Sequence, residues 1–303
     1  MKIKVLDVEY INPGEPLWQK LAEFGELTLI DNTPYEVLAD TIADAEIIFT
    51  SKCRITDEIL DKCPNVRFIG ELATGFDNID IEACRRRNIA VYNIPGYSTD
   101  AVAQHTIALL LEAANKVAAN SELSKEGKWF NRPGFDYSLA PLILLNGRSL
   151  GIVGYGSIGS KVAEIAQALG MKINIYSRDK KACIESDFVS LHCPAASDNY
   201  HMVDSSFISQ MKEGAVLINT ARGALIDENA LLDALDSGRI SMACLDVLEK
   251  EPPSDNPLIG HPKTFVTPHI AWAPKETRDK IILIAYDNLK SWINGKDSKN
   301  RLV

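Results

Sequence analysis

Residues 149–177, SLGIVGYGSIGSKVAEIAQALGMKINIYS, decide the fold. An apolar run ending at Val153 opens onto three glycines, Gly154, Gly156 and Gly159. An amphipathic segment follows, and then a second β-rich run that ends at Ser177. Strand, tight turn, helix and strand in that order form the repeating unit of a parallel sheet, and G-x-G-x-x-G in that setting is the turn that cradles a dinucleotide. Gly154 would turn the chain, Gly156 would let backbone approach a pyrophosphate, and Gly159 would let the helix lie close on the strand. The amides of Ser157 and Ile158 would face the phosphates at the positive end of that helix.

Such a turn ordinarily opens the first strand of its domain, yet this one lies mid-chain, so the residues before it belong largely to another domain. They alternate strand-like and helix-like segments. Lys2–Val8, Leu27–Ile30, Glu46–Thr50, Arg67–Glu71 and Ile89–Asn93 read as strands, and Pro16–Phe24, Tyr35–Ala45, Thr56–Cys63 and Asp80–Asn88 as helices. That alternation implies a second parallel sheet with helices on both faces. Asp100–Asn120 reads as one long buried helix, and Glu122–Asn146 as a helix end with an extended connection. Beyond Ser177, strands are expected at Phe188–His192, Val216–Asn219, Ala243–Asp246 and Thr264–Val266, and helices at Ser205–Met211 and Glu228–Ser237. The last helix, Pro274–Asn294, can return to the first domain. The expected fold class is α/β, with two doubly wound parallel-sheet domains.

Composition agrees with that picture. The chain has 303 residues, 46% hydrophobic and 24% charged, the balance of an ordinary globular protein with two domains. Lys and Arg number 32 against 41 Asp and Glu, a net charge of −9, which argues against a nucleic-acid partner. No apolar run approaches the roughly 18 residues of a membrane span. The N-terminus alternates like a strand and does not read as a signal peptide. Six scattered cysteines without CxxC spacing read as reduced thiols of a cytoplasmic protein, and no metal-ligating set is expected.

Three stretches at the ends of later strands lie where ligands of open α/β sheets bind. They are Asn219–Gly223 with Arg222, Asp246–Pro253 with Glu251, and Thr267–Trp272 with His269. Taken singly, Arg222 reads equally as a structural ion pair, Glu251 as a surface acid and His269 as a structural histidine. Taken together they make a reaction centre for a 2-oxo acid. Arg supplies a planar fork for carboxylate and carbonyl. His supplies a proton near neutral pH, and a carboxylate on its second nitrogen orients the ring. About twenty residues past the glycine turn an acid would hold the ribose of NAD. Ser177 and Arg178 stand there instead, with no carboxylate before Asp179. A small hydroxyl beside Arg suits a 2′-phosphate and points towards NADP, although Arg178 reads equally as a solvated loop residue.

Over essentially its whole length the chain resembles the D-2-hydroxyacid dehydrogenases. The matching stretches are Leu72–Asp80, Val91–Leu111, Gly151–Gly159, Ser186–Pro194, Ile218–Leu231, Leu245–Pro253 and Thr267–Ala273. The resemblance implies that Arg222 binds substrate, Glu251 pairs with the histidine and His269 donates the proton. It implies that backbone amides around Thr74 and Gly75 hold the substrate carboxylate, and that Thr220, Ala221 and Asp246 line the nicotinamide half of an NAD(P) site. It also implies a homodimer whose Rossmann NAD(P) domain, 100–274, is inserted in a flavodoxin-like substrate domain, 1–99 with 275–303. Two departures stand out. Between Ser177 and Phe188 there are too few residues for the strand and helix usual in the family, through a deletion or through missing residues. Ser177 also replaces the acid typical of NAD-using members, and Tyr176–Arg178 is similar to the corresponding stretch of NADPH-using glyoxylate and hydroxypyruvate reductases.

Gln104 and Trp272 are more similar to the glycerate dehydrogenase (hydroxypyruvate reductase) branch than to the phosphoglycerate branch. The expected substrate is a small 2-oxo acid, hydroxypyruvate or glyoxylate first, with D-lactate and 3-phosphoglycerate as alternatives. A formate dehydrogenase would carry an amide at Glu251, so the carboxylate counts against that reading. A dinucleotide-sensing corepressor of the same family can keep all three catalytic residues, so the motifs alone do not exclude it, and turnover separates it from an enzyme.

Overall fold

The computed structural model describes residues 1–12, 14–129, 142–296 and 298–303. The chain divides into two compact units, one of Met1–Ser98 with Ala273–Val303 and one of Thr99–Trp272. Part of the connection expected over Glu122–Asn146, residues 130–141, lies outside the described residues.

In the first unit β1 (Lys2–Val5) leads to a short helix, α1 (Val8–Ile11), and a 3-10 helix over Pro16–Phe24. Then β2 (Glu26–Leu29), α2 (Tyr35–Ile42), β3 (Ile47–Thr50), α3 (Asp57–Lys62), β4 (Phe68–Glu71), α4 (Ile81–Arg86) and β5 (Ala90–Tyr92) alternate. All strands are parallel in the order β2-β1-β3-β4-β5. A parallel sheet is covered on both faces, and β3, β4 and β5 are accordingly buried at every residue. On one face Leu38, Ile42, Ile59 and Ala83, from α2, α3 and α4, join the core. On the other, Phe68 meets Phe49, Tyr92 and Trp292 at ring-centroid distances of 5.6, 5.2 and 5.2 Å. Gly70 makes room there, since a Cβ would come within 2.3 Å of the Phe49 ring.

The expected strand Lys2–Val8 is three residues too long. It stops at Val5 because Asp7 adopts φ +63° and turns its carboxylate inward. There Oδ2 accepts from Thr50 Oγ1 at 2.7 Å and from the amides of Ser51, Lys52 and Cys53.

The second unit opens with α5 (Thr99–Asn115) and α6 (Val117–Lys125), where one helix was expected. Lys116 breaks it with φ +49°, and Glu112, whose carboxylate accepts from Ala118 N at 3.1 Å, caps the new start. The sheet then builds from β6 (Ser149–Val153), α7 (Ser157–Ala168), β7 (Lys172–Ile175), α8 (Lys180–Ile184), β8 (Phe188–Leu191), α9 (Ser205–Gln210), β9 (Ala215–Asn219), α10 (Glu228–Ser237), β10 (Ile240–Leu245) and β11 (Thr264–Val266). Its order is β11-β10-β9-β8-β6-β7, all parallel. Apolar residues of α5 and α7 cover one face, and those of α8, α9 and α10 the other.

Among the described residues β7 is the sheet edge, with no strand beyond it. The short stretch after Ser177 is spanned by α8 alone. That helix lies so near β6 that a Cβ at Gly151 would come within 2.2 Å of the Cys183 carbonyl oxygen. The final helix, α11 (Lys275–Ile293), belongs to the first unit and packs on its 3-10 helix and β4. Among the described residues no helix is long and apolar enough to cross a membrane.

Candidate active site

The strand order reverses between β6 and β8, and the glycine turn lies at that switch point, where open α/β sheets bind ligands. Gly154 has φ +98°, and a Cβ on it would sit 2.5 Å from Cys193 N and 2.6 Å from the His192 carbonyl carbon. Gly159 packs as closely, 2.1 Å from a built Cβ to the Gly154 carbonyl oxygen. Gly156 differs: nothing lies within 4 Å of its Cβ position, so backbone is open to an incoming group at that point alone. Gly156 is also the N-cap of α7 and has no side chain to satisfy the first amides, which leaves those of Ser157 and Ile158 available to an anion. These residues fit the diphosphate of a dinucleotide.

At the exit of β7, Ser177 and Arg178 are exposed. Asp179, the first acid in sequence after Ser177, caps α8 through its Oδ1, which accepts from Ala182 N at 3.0 Å. Arg178 is not simply solvated. Its guanidinium lies over the Tyr155 ring, 5.3 Å from the centroid, which brings the cation to the glycine turn.

Each of the three expected catalytic side chains is held by a loop at the carboxyl end of a strand. After β9, buried Asn219 staples its own loop, accepting from Ala221 N at 2.9 Å and donating to the Arg222 carbonyl at 2.8 Å. Arg222 Nη1 donates to Ala221 O at 2.8 Å. Gly223 follows because the next loop passes directly over it: a Cβ would meet the Leu248 carbonyl carbon at 1.9 Å. Leu248 N in turn donates to Glu251 Oε1 at 2.9 Å, and Glu251 Oε2 meets His269 Nδ1 at 2.5 Å. Arg222, Glu251 and His269 thus belong to one continuous set of contacts. The pair is about one-third exposed, 30% for Glu251 and 33% for His269. An exposed pair of this kind contributes at most about 1 kcal/mol to stability, so the short bond serves chiefly to orient the ring.

His269 has φ +53°, uncommon for a residue with a Cβ. Asp246 holds that turn. Its carbonyl accepts from His269 N at 2.8 Å, its Oδ1 from Thr267 Oγ1 at 2.6 Å and Ile270 N at 3.0 Å, and its Oδ2 from Ala271 N at 2.9 Å. Burial pushes the Asp246 carboxyl up. Hydrogen bonds from His105, Thr267 and the two amides outweigh burial and hold it below its ordinary value. Asp246, expected to line the nicotinamide half of the site, is 1% exposed and has both oxygens engaged by the His269 loop. Thr220, nearly buried, shares a 2.8 Å hydroxyl contact with Thr106 of α5, and Ala221 is half-buried beside Arg222.

In the first unit the loop after β4 carries Thr74 and Gly75. Thr74 Oγ1 donates to Ile94 O at 2.9 Å, and Asn93 Nδ2 donates to Thr74 O at 2.8 Å. Among the described residues the amides of Thr74 and Gly75 donate no hydrogen bond.

His105, Thr267, Asn219 and Gly223 were not singled out from the sequence as parts of the site. The TPH and ARG stretches pointed at the loops but gave no sign of which members held them. His192, just past β8, is a further one: burial holds its imidazole down at about 4, and its Nδ1 has no partner among the described residues.

Residues 107–271 match the NAD-binding domain of the D-isomer specific 2-hydroxyacid dehydrogenases. A hydroxypyruvate reductase of Blautia hydrogenotrophica is 41% identical over 314 aligned positions, which cover 97% of this chain and 98% of the relative. A glyoxylate reductase of Aeropyrum pernix is 38% identical, covering 88% of this chain and 85% of its own length. An acyclic imino acid reductase solved with NADPH and D-Arg superimposes with a TM-score of 0.88 at 31% identity, over the whole of both chains. The chain therefore belongs to the D-isomer specific 2-hydroxyacid dehydrogenase family and is an oxidoreductase with an NAD(P)-binding domain.

Proposed function

We propose that the chain reduces hydroxypyruvate to D-glycerate, with glyoxylate as second substrate, and that it prefers NADPH to NADH. The observation that carries the reaction type is the 2.5 Å His269–Glu251 contact on loops that also fix Arg222. A dinucleotide held at the glycine turn would supply the hydride that the substrate's carbonyl carbon accepts. With Nδ1 of His269 held by Glu251, Nε2 is the edge free to give a proton to the carbonyl oxygen, and the two transfers together make the hydroxyl. Arg222 binds carboxylate and carbonyl through its fork and stabilises charge developing on the oxygen. The amides of Thr74 and Gly75 are proposed as further donors to the carboxylate. Gly156, Ser157 and Ile158 would hold the diphosphate.

The NADPH preference is supported by Arg178 stacked at the glycine turn and by the commitment of Asp179 to α8. Hydroxypyruvate is supported by the Blautia relative. A homodimer is proposed from the family resemblance and from apolar Val117, Trp129, Leu142 and Leu144, each more than half exposed. A cytoplasmic setting is proposed from six free cysteines, five of them buried.

Initial rates with NADH and NADPH in parallel, on hydroxypyruvate, glyoxylate, pyruvate and 3-phosphohydroxypyruvate, test the reading. Hydroxypyruvate is expected to give the highest kcat/KM, and NADPH to exceed NADH by about tenfold or more, as loss of a charge-assisted hydrogen bond would cost. Arg178→Ala should remove most of that difference. Equal use of both coenzymes overturns the NADPH reading, and dinucleotide binding without turnover of any acid moves the chain to the sensing class.

A further inference from the structure

Asp246 is a buried charge surrounded by donors, and one of them comes from outside its own loops. His105 on α5 places Nε2 at 3.0 Å from Thr267 Oγ1 and 3.3 Å from Asp246 Oδ1, across 162 positions of sequence from Thr267. The protons can be counted. Thr267 has one hydroxyl hydrogen, and its 2.6 Å contact with a carboxylate that has none takes it. At the contact with His105 the threonine oxygen is therefore the acceptor, and His105 Nε2 carries the hydrogen. Thr267 and Asp246 thus fix the protonated nitrogen of His105, whichever charge the ring carries.

The same three groups bound the turn of His269. Thr267 lies two residues before it and accepts His269 N through its carbonyl at 2.9 Å, while Asp246 takes the amides of the two residues after it. A left-handed φ at a residue with a Cβ persists only where its surroundings over-determine it. We infer that His105 is a positioning residue for the reaction: its Nε2 hydrogen bond to the Thr267–Asp246 pair ties α5 to the turn that presents His269. The inference rests on the reading of His269 as proton donor. His105 acts through its contacts with Thr267 and Asp246.

The test is a double-mutant cycle on the full chain with His105→Leu, Thr267→Val and the two combined, with His105→Gln as rescue. For each, kcat and KM for hydroxypyruvate are measured at saturating NADPH, with the NADPH dissociation constant and Tm alongside. His105→Leu should lower kcat by about tenfold or more, the effect of a misplaced catalytic group, with KM and NADPH binding within about twofold. His105→Gln, whose amide can donate at similar reach, should recover most of kcat. The double variant should be no slower than the slower single, because both remove one network. A wild-type kcat in His105→Leu, losses that multiply in the double variant, or failure of rescue by Gln each overturns the inference. Should His105→Leu not fold, Thr267→Val carries the same readouts. His269→Ala run in parallel separates the two readings. Full activity there overturns the proton donor itself, whereas loss there with full activity in His105→Leu overturns only the role of His105.

Discussion

A carboxylate 2.5 Å from an imidazole that is one-third exposed adds little to stability, and its value lies in fixing one tautomer and one ring plane. Glu251→Gln keeps the length of the side chain and an oxygen for Leu248 N but removes the charge. The expected outcome is a fall in kcat of about 100-fold, the lower end of the range attributed to a positioned acid, with Tm changed by no more than a few degrees. Steady-state rates and a thermal melt decide it, and an unchanged kcat would release Glu251 from the role. At this scale much was legible in the sequence. Glycine turns and isolated Arg, Glu and His residues at strand exits have local signatures, and all fall at the ends of the expected strands. What was not legible was the set of partners. His105 meets Thr267 across 162 residues, and nothing local to a helical VAQHT stretch announces such a contact. The resemblance implied only that Asp246 lines the nicotinamide half of the site; its partners in the His269 loop can be seen only once the loop has a shape.

Elements show why the loops must stay in step. Gly223 lets the Arg222 loop pass under Leu248, and Leu248 N holds Glu251. Gly223→Ala must push the Leu248–Glu249 backbone away, so it should disturb Glu251 without touching any catalytic side chain. Overpacking of this kind costs about 1–3 kcal/mol, which should appear as a lower urea midpoint, and kcat should fall by at least about tenfold. A variant with normal kcat would show that the two loops move independently. The strands were legible to within a few residues because parallel strands are nearly uninterrupted apolar runs. The break at Lys116 was not, since no Gly or Pro marks it and its cause is a side chain four positions earlier capping the next helix. Helix α8 was also missed. Five residues are too few for periodicity to register; the Asp179 cap, the close approach to Gly151 and the buried Cys183 and Ile184 hold it in place.

For the whole molecule, His192 sets a pH response. Its ring is held down at about 4 by burial, against 6.5 for an ordinary histidine. Above 6.5 neither folded nor unfolded chain binds this proton. Between about 6.5 and 4 the unfolded chain takes it up and the folded chain does not, so stability falls as pH drops, by up to about tenfold in the unfolding equilibrium per pH unit. Urea midpoints at pH 7, 6 and 5 for the wild type and His192→Asn should show a shallower decline in the variant. Parallel declines would mean that other groups govern the acid limb. The two units have separate sheets and cores, and the chain passes from one to the other only twice, at Ser98–Thr99 and at Trp272–Ala273. Both passages are short leads to one node. From Thr99 the helix reaches His105 in its second turn, and from Trp272 the chain runs back to Thr267. In mechanical terms the two leads of the second unit are spliced together at Asp246, beside the turn that carries His269.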